Sequence, residues 1–166
     1  MIAPLEPPAS HHVSAAEGWL ELGNPAEAAA ELAALAPEWS AHPAVLELNW
    51  QINANGRQWT TCLELAARLV ALHPELPSGY IHRSFALHEL QRTAEARDLL
   101  LPVLSRFPEE EILPYNLACY ECRLGNLDLA RHWLGKLFSR KNGSAWRRSA
   151  QGDPDLAALW PEISTL

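Results

Sequence analysis

The sequence predicts an all-α fold built from tandem antiparallel helix pairs. Three observations predict it. A 34-residue period runs along the chain, apolar residues recur at helical spacing within each copy, and helix starts and stops punctuate the copies at matching intervals.

The period is clearest on the second helix of each pair. Stepping by 34 from Ala28 meets Cys62, Ala96 and Ala130, all small. Four residues further along each copy stand Leu32, Ala66, Leu100 and Leu134, and three beyond those stand Leu35, Leu69, Val103 and Leu137. Steps of four and three put the three columns on one helical face. Self-similarity at this period is the signature of stacked helical units.

The first helices are expected near residues 12–22, 43–54, 78–90 and 112–124, and the second near 25–36, 59–72, 93–106 and 127–140. Asn24-Pro25-Ala26-Glu27 supplies an N-cap, a proline at the first helical position and a capping-box glutamate. Gly23, Gly56 and Gly125 fall in turns inside their pairs, and Pro74 and Pro108 close the second helices of copies two and three. Pro102 lies within an expected helix, where it removes a hydrogen bond and should kink it. Copy two reads as carrying one extra residue between Gly56 and Trp59. Arg83 stands on an otherwise apolar column and must reach solvent or a carboxylate.

These elements organise the chain as a flexible lead over residues 1–8, four helix pairs over 9–141, and a connection with a closing helix over 142–166. His11 and His12 are read as part of the flexible lead-in, without chemistry. "KNGSAWRRSAQGD" reads as a polar connection holding about one helical turn. In "DPDLAALWPEI" Asp153 is the expected N-cap and Pro154 the first helical residue, with Leu156, Leu159 and Trp160 on one face. Such a helix would cover the open end of a stacked array.

Charge narrows the function. The net charge of −7 disfavours nucleic acid and anionic membrane as partners, since both reward a basic surface. Residues 1–56 hold seven acids and no Lys or Arg, whereas residues 123–148 hold seven bases against Asp128 alone. That polarity admits end-to-end self-association into a homo-oligomer. Three cysteines are too few for a disulfide framework, and the start of the chain has no basic region of a secretory signal, so the expected compartment is the cytoplasm.

The pattern resembles the tetratricopeptide repeat. Ala16, Ser84 and Ala118 match its small residue midway along the first helix, and Ala28/Leu32, Cys62/Ala66, Ala96/Leu100 and Ala130/Leu134 match its small-x-x-x-large element. Pro74 and Pro108 match its closing proline. The resemblance implies a right-handed α-solenoid with a concave wall made by the first helices, and a non-catalytic role in protein–protein interaction. The groove positions it implies are Leu46, Trp50 and Asn53 in copy two; Ile81, His82, Phe85, His88 and Glu89 in copy three; and Ile112, Tyr115, Asn116, Cys119, Cys122 and Arg123 in copy four. Copy one contributes Val13, Glu17, Leu20 and Glu21. The partner implied is a peptide or an amphipathic helix, with Trp50 and Phe85 as aromatic anchors or, equally, as interhelical core. A lysine clamp for a terminal carboxylate is disfavoured, because no lysine precedes Lys136.

Two other chemistries are disfavoured. Cys119-x-x-Cys122 offers one thiol pair where a zinc site needs four ligands, and Pro114 starts the helix before either thiol could feel its N-terminus. Ser84 and His88 share a helix face at i, i+4, but Ser84 belongs to the tight helix contact and continuous helices leave no free amides for an oxyanion. No cofactor and no metal is expected.

Overall fold

The computed structural model describes residues 2–166. Among them the chain forms ten α-helices and three 3-10 turns, with no strand. In order these are α1 (Ala9–Glu21), α2 (Pro25–Ala33), α3 (Pro43–Asn55), α4 (Trp59–Leu72), α5 (Pro77–Glu89), α6 (Thr93–Leu100), α7 (Ile112–Arg123), α8 (Leu127–Phe138), α9 (Gly143–Gly152) and α10 (Trp160–Ile163). The 3-10 turns cover Pro37–Ala41, Leu101–Ser105 and Pro154–Leu159.

The period is kept without a slip. The second helices begin at Pro25, Trp59, Thr93 and Leu127, each 34 residues after the last. The turns before them repeat as well. In each, one residue adopts a left-handed backbone: Gly23 (φ +74), Arg57 (φ 53), Gln91 (φ 62) and Gly125 (φ +82). In each, two backbone N–H groups close the preceding helix on carbonyls three and five residues back, as in Asn24 to Trp19, Gln58 to Asn53, Arg92 to Leu87 and Asn126 to Glu121. This is the Schellman ending, in which a left-handed residue lets the orphan carbonyls find donors. The expected extra residue in copy two is therefore absent. Gly56, read as the turn glycine, has φ −84, and Arg57 takes the left-handed position.

Pro102 ends an α-helix rather than kinking it. α6 stops at Leu100, and Leu101–Ser105 tightens into a 3-10 turn with Pro102 in its first positions. Without an N–H, proline cannot continue the α-helical ladder, but it fits the start of a short turn.

The chain divides into two compact units, one ending at Ala86 and one starting at Leu87, with the division inside α5. In the first unit α1 packs on α2 and α3, and α3 on α4. Val13, Ala16, Ala28, Leu32, Val45 and Leu48 form one buried cluster, and Trp50, Cys62, Ala66 and Ala86 form another. Leu5, from the lead, packs on the first cluster, and the Ala3 carbonyl lies 3.1 Å from His42 Nε2. His11 and His12 belong to α1 rather than to the lead, and His12 Nδ1 meets Glu31 Oε2 on α2 at 2.7 Å.

In the second unit α7 packs on α6 and α8, α9 packs on α8, and the turn Pro154–Leu159 lies across α7. Ten consecutive residues of α7, Leu113 to Cys122, are buried. A helix covered on all sides needs little amphipathic contrast. Residues 143–152, expected as a polar connection, form the helix α9. Tertiary packing overrides the weak local propensity there. Ala150 is fully buried, the Trp146 indole donates to Glu111 at 2.7 Å, and Gly143 sits so close to Phe138 that a Cβ would lie 1.9 Å from its carbonyl oxygen. Trp160 does not share the inward face of Leu156 and Leu159. It is exposed, and its indole donates to the Asp153 carbonyl.

Candidate functional site

The residues implied as groove-lining fall into both units, and the units differ in what they leave open.

In the first unit, Leu46 and Trp50 point into the fold. Leu46 is 1% exposed and Trp50 8%. The unbroken period explains this, because counting 34 from Ala16 reaches Trp50 and then Ser84 and Ala118. Trp50 thus occupies the column that carries a small residue in the other three copies. The large ring is housed by a small partner and flat neighbours. Cys62 approaches the Trp50 carbonyl at 3.6 Å, His82 stacks on the indole with ring centres 4.1 Å apart, and Phe85 meets it edge-on at 6.1 Å. Burial among these rings lowers the His82 pKa to about 4, which keeps the imidazole neutral. Burial also pushes the Cys62 thiol up to about 11. The Trp50 indole N–H is buried with no acceptor. Asn53 is half-buried, and its amide donates to the carbonyl of Asn49 one turn back on its own helix. Ile81 is half-buried on α5.

The first unit leaves open a cleft of about 380 Å³ between α1 and α3. Its walls include Glu17, Leu20 and Glu21 on α1, which the resemblance implies, and Glu47, Gln51 and Asn55 on α3, which it did not. Glu47 and Gln51 are the residues one place after Leu46 and Trp50, so the supposed insertion at Gly56 had hidden them. Counting from Gly23 to Arg57, rather than to Gly56, would have found them. Three carboxylates and two amides stand over an apolar floor of Ala44, Leu20 and Leu48. Glu47 is already oriented, because the Ser78 hydroxyl donates to its carboxylate.

In the second unit, the corresponding face of α7 is covered by the chain itself. Tyr115, Asn116, Cys119 and His88 are all less than a tenth exposed. The turn that opens at Asp153 meets Tyr115, Cys119 and His88. The Tyr115 hydroxyl donates to Asp153 Oδ2 at 2.7 Å, and the Cys119 thiol lies 3.6 Å from the same oxygen. His88 Nε2 lies 3.0 Å from Asp155 Oδ2, with its Nδ1 3.0 Å from the Thr93 hydroxyl. Arg123, half-exposed, approaches Asp155 at 3.6 Å. Leu156, Leu159 and Ile163 are fully buried behind these contacts. Asp153 caps its turn as expected, accepting from the Asp155 N–H. The sequence marked Asp153 only as a cap. Its second oxygen, on Tyr115 and Cys119, could not be read from local spacing, because the partners lie 34 to 38 residues away.

The two thiols on α7 are poor nucleophiles. Burial, reinforced by the charges of Asp153 and Asp155, raises Cys119 well above an ordinary thiol, and burial raises Cys122 as well. Among the described residues no three His, Cys, Asp or Glu side chains are grouped to hold a metal ion. Ser84 is fully buried with its hydroxyl donating to the Ile81 carbonyl. None of the helices described is long and apolar enough to cross a membrane.

Four unit turns repeating at 34 residues and an open polar cleft on paired helices define an all-α, repeat-like helical protein. No protein-family model matches the chain, and neither does any curated protein or solved structure.

Proposed function

We propose that the chain is a non-catalytic interaction scaffold, a tetratricopeptide-like array that holds a peptide or helix against its first helices in the cytoplasm. The α1–α3 cleft is the observation that carries this reading. It is the size of a few side chains, its walls are polar and its floor apolar, which is how an extended or helical segment is usually gripped. Its chemistry selects the partner. Glu17, Glu21 and Glu47 favour a segment bearing Lys or Arg, while Gln51 and Asn55 can bond its backbone. The α7 face is a poorer candidate, since a partner would have to displace three fully buried aliphatic side chains, each worth about 1.5–3 kcal/mol of burial.

The test is direct binding of fluorescent amphipathic helical peptides, one lysine-rich and one glutamate-rich. The lysine-rich probe should bind, weaken about tenfold in Glu17→Ala/Gln51→Ala, and leave the helical circular dichroism unchanged. Equal affinity for both peptides, or no loss in the variant, would end the reading.

A further inference from the structure

The second unit carries an open surface that the scaffold reading does not use. Leu104, Ser105 and Pro108, after α6, face Pro114 on α7 and Trp133, Lys136 and Arg140 at α8 and its end, around a crevice of about 360 Å³. The lining is mostly apolar, with two cations at the rim. Lys136 lies over the Trp133 ring at 5.3 Å, and Arg140 donates to the Pro108 carbonyl at 2.8 Å. Neither is neutralised by an ion pair among the described residues, and the same holds for Lys141 and Arg148 beyond them. Glu111 accepts from Trp146 and Asn142, and these bonds, with a weaker attraction from Arg140, hold its pKa below the ordinary carboxylate range.

A crevice of this kind fits an apolar side chain with carboxylates beside it. Among the described residues that feature is most open at the end of α1. Leu22 is 77% exposed, more than any other large apolar side chain described, and the exposed Glu21 directly precedes it, with the exposed Glu17 one turn earlier on α1. The units differ in charge as the contact requires. The first holds nine carboxylates against three arginines, while the second holds eleven against ten bases, seven of them within residues 123–148.

We propose that the Trp133 crevice is the docking site for a second copy of this chain, which inserts Leu22 and sets Glu17 and Glu21 against Lys136 and Arg140. The contact joins different surfaces of two copies, so it propagates head to tail into a chain or closes into a ring. Its strength rests on screened charge around one apolar anchor, so it falls as salt rises.

Sedimentation velocity of the full chain tests it. At low ionic strength the mean mass should rise with protein concentration, and about 0.5 M salt should return it to the monomer. Glu17→Lys/Glu21→Lys and Lys136→Glu/Arg140→Glu should each be monomeric, and a mixture of the two should associate again, since each now offers the other's complement. That rescue separates docking from misfolding. The crevice variant leaves the α1–α3 cleft intact and should still bind the lysine-rich peptide, which keeps this test independent of the scaffold reading. A wild-type chain that stays monomeric in low salt, or a mixture that fails to associate, overturns the proposal. So does a monomeric chain whose crevice takes up an acidic, leucine-bearing peptide, because the occupant would then be a different protein.

Discussion

Tyr115 and Asp153 are joined by a 2.7 Å hydrogen bond that seats the end of the chain on α7. The hydroxyl is buried and faces a carboxylate, so burial and that charge together hold its pKa far above an ordinary phenol. The hydroxyl therefore stays protonated, and remains a donor, throughout the physiological range. It is also what closes the face on which a groove in the fourth copy was expected.

Replacing Tyr115 with Phe removes the donor and leaves the carboxylate short of a partner. The expected cost is about 1.5–3 kcal/mol, the range for a hydrogen bond to a charged group. Urea unfolding measures it. Amide exchange should accelerate most at residues 153–163 in the second unit, and an unchanged pattern there would refute the seating role.

The left-handed turns make a second prediction with opposite signs. Gly23 and Gly125 meet no strain in that conformation, whereas Arg57 and Gln91 do. A side chain in the left-handed region costs roughly 1–2 kcal/mol, and glycine gives back about 0.5–1 through the unfolded chain. Arg57→Gly and Gln91→Gly should each raise stability by up to about 1 kcal/mol, and Gly23→Ala should lower it by about 1 kcal/mol. Denaturant midpoints decide the matter.

His82 predicts how the first unit responds to acid. Its pKa is near 4 when folded, because burial against Trp50 disfavours the charged ring, and about 6.5 when unfolded. Between those values the unfolded chain binds more protons, so stability is complete above about pH 6.5 and is lost as pH falls towards 4. His82→Phe keeps an aromatic ring on Trp50 but has nothing to titrate. Its thermal midpoint should fall less than the wild type's across that window.

The joint between α8 and α9 supplies the fourth. Gly143→Ala would place a methyl on the Phe138 carbonyl, a contact that only backbone movement relieves. The loss should be about 1–3 kcal/mol, as for other overpacked sites. Near-ultraviolet circular dichroism should also change, since Trp146 lies one turn along α9 with its ring centre 4.9 Å from that of Tyr115.

Much of this architecture could be read before any coordinates. The second helices start where the caps, prolines and 34-residue columns put them, because those signals act within one or two turns of the chain, whereas α1 starts at Ala9, ahead of the expected residue 12. Two of the readings that failed did so for different reasons. Gly56 drew the turn to itself by its residue type, although the backbone places the left-handed residue at Arg57, where the repeat demands it. The stretch 143–152 looked like a loop because its helix is held by the contacts of Trp146 with Glu111 and Tyr115, neither of which is local in sequence.

The sequence by itself determined the helical class, the period and the opposition of charge between its ends, since periodicity and composition are properties of the string. Tertiary structure alone decided that His82 stacks on Trp50, that the Ser78 hydroxyl holds Glu47, and that Asp153 and Asp155 close the face of α7. Those outcomes depend on which distant groups meet in a buried space, and burial is a property of the whole packed unit rather than of any neighbouring residues.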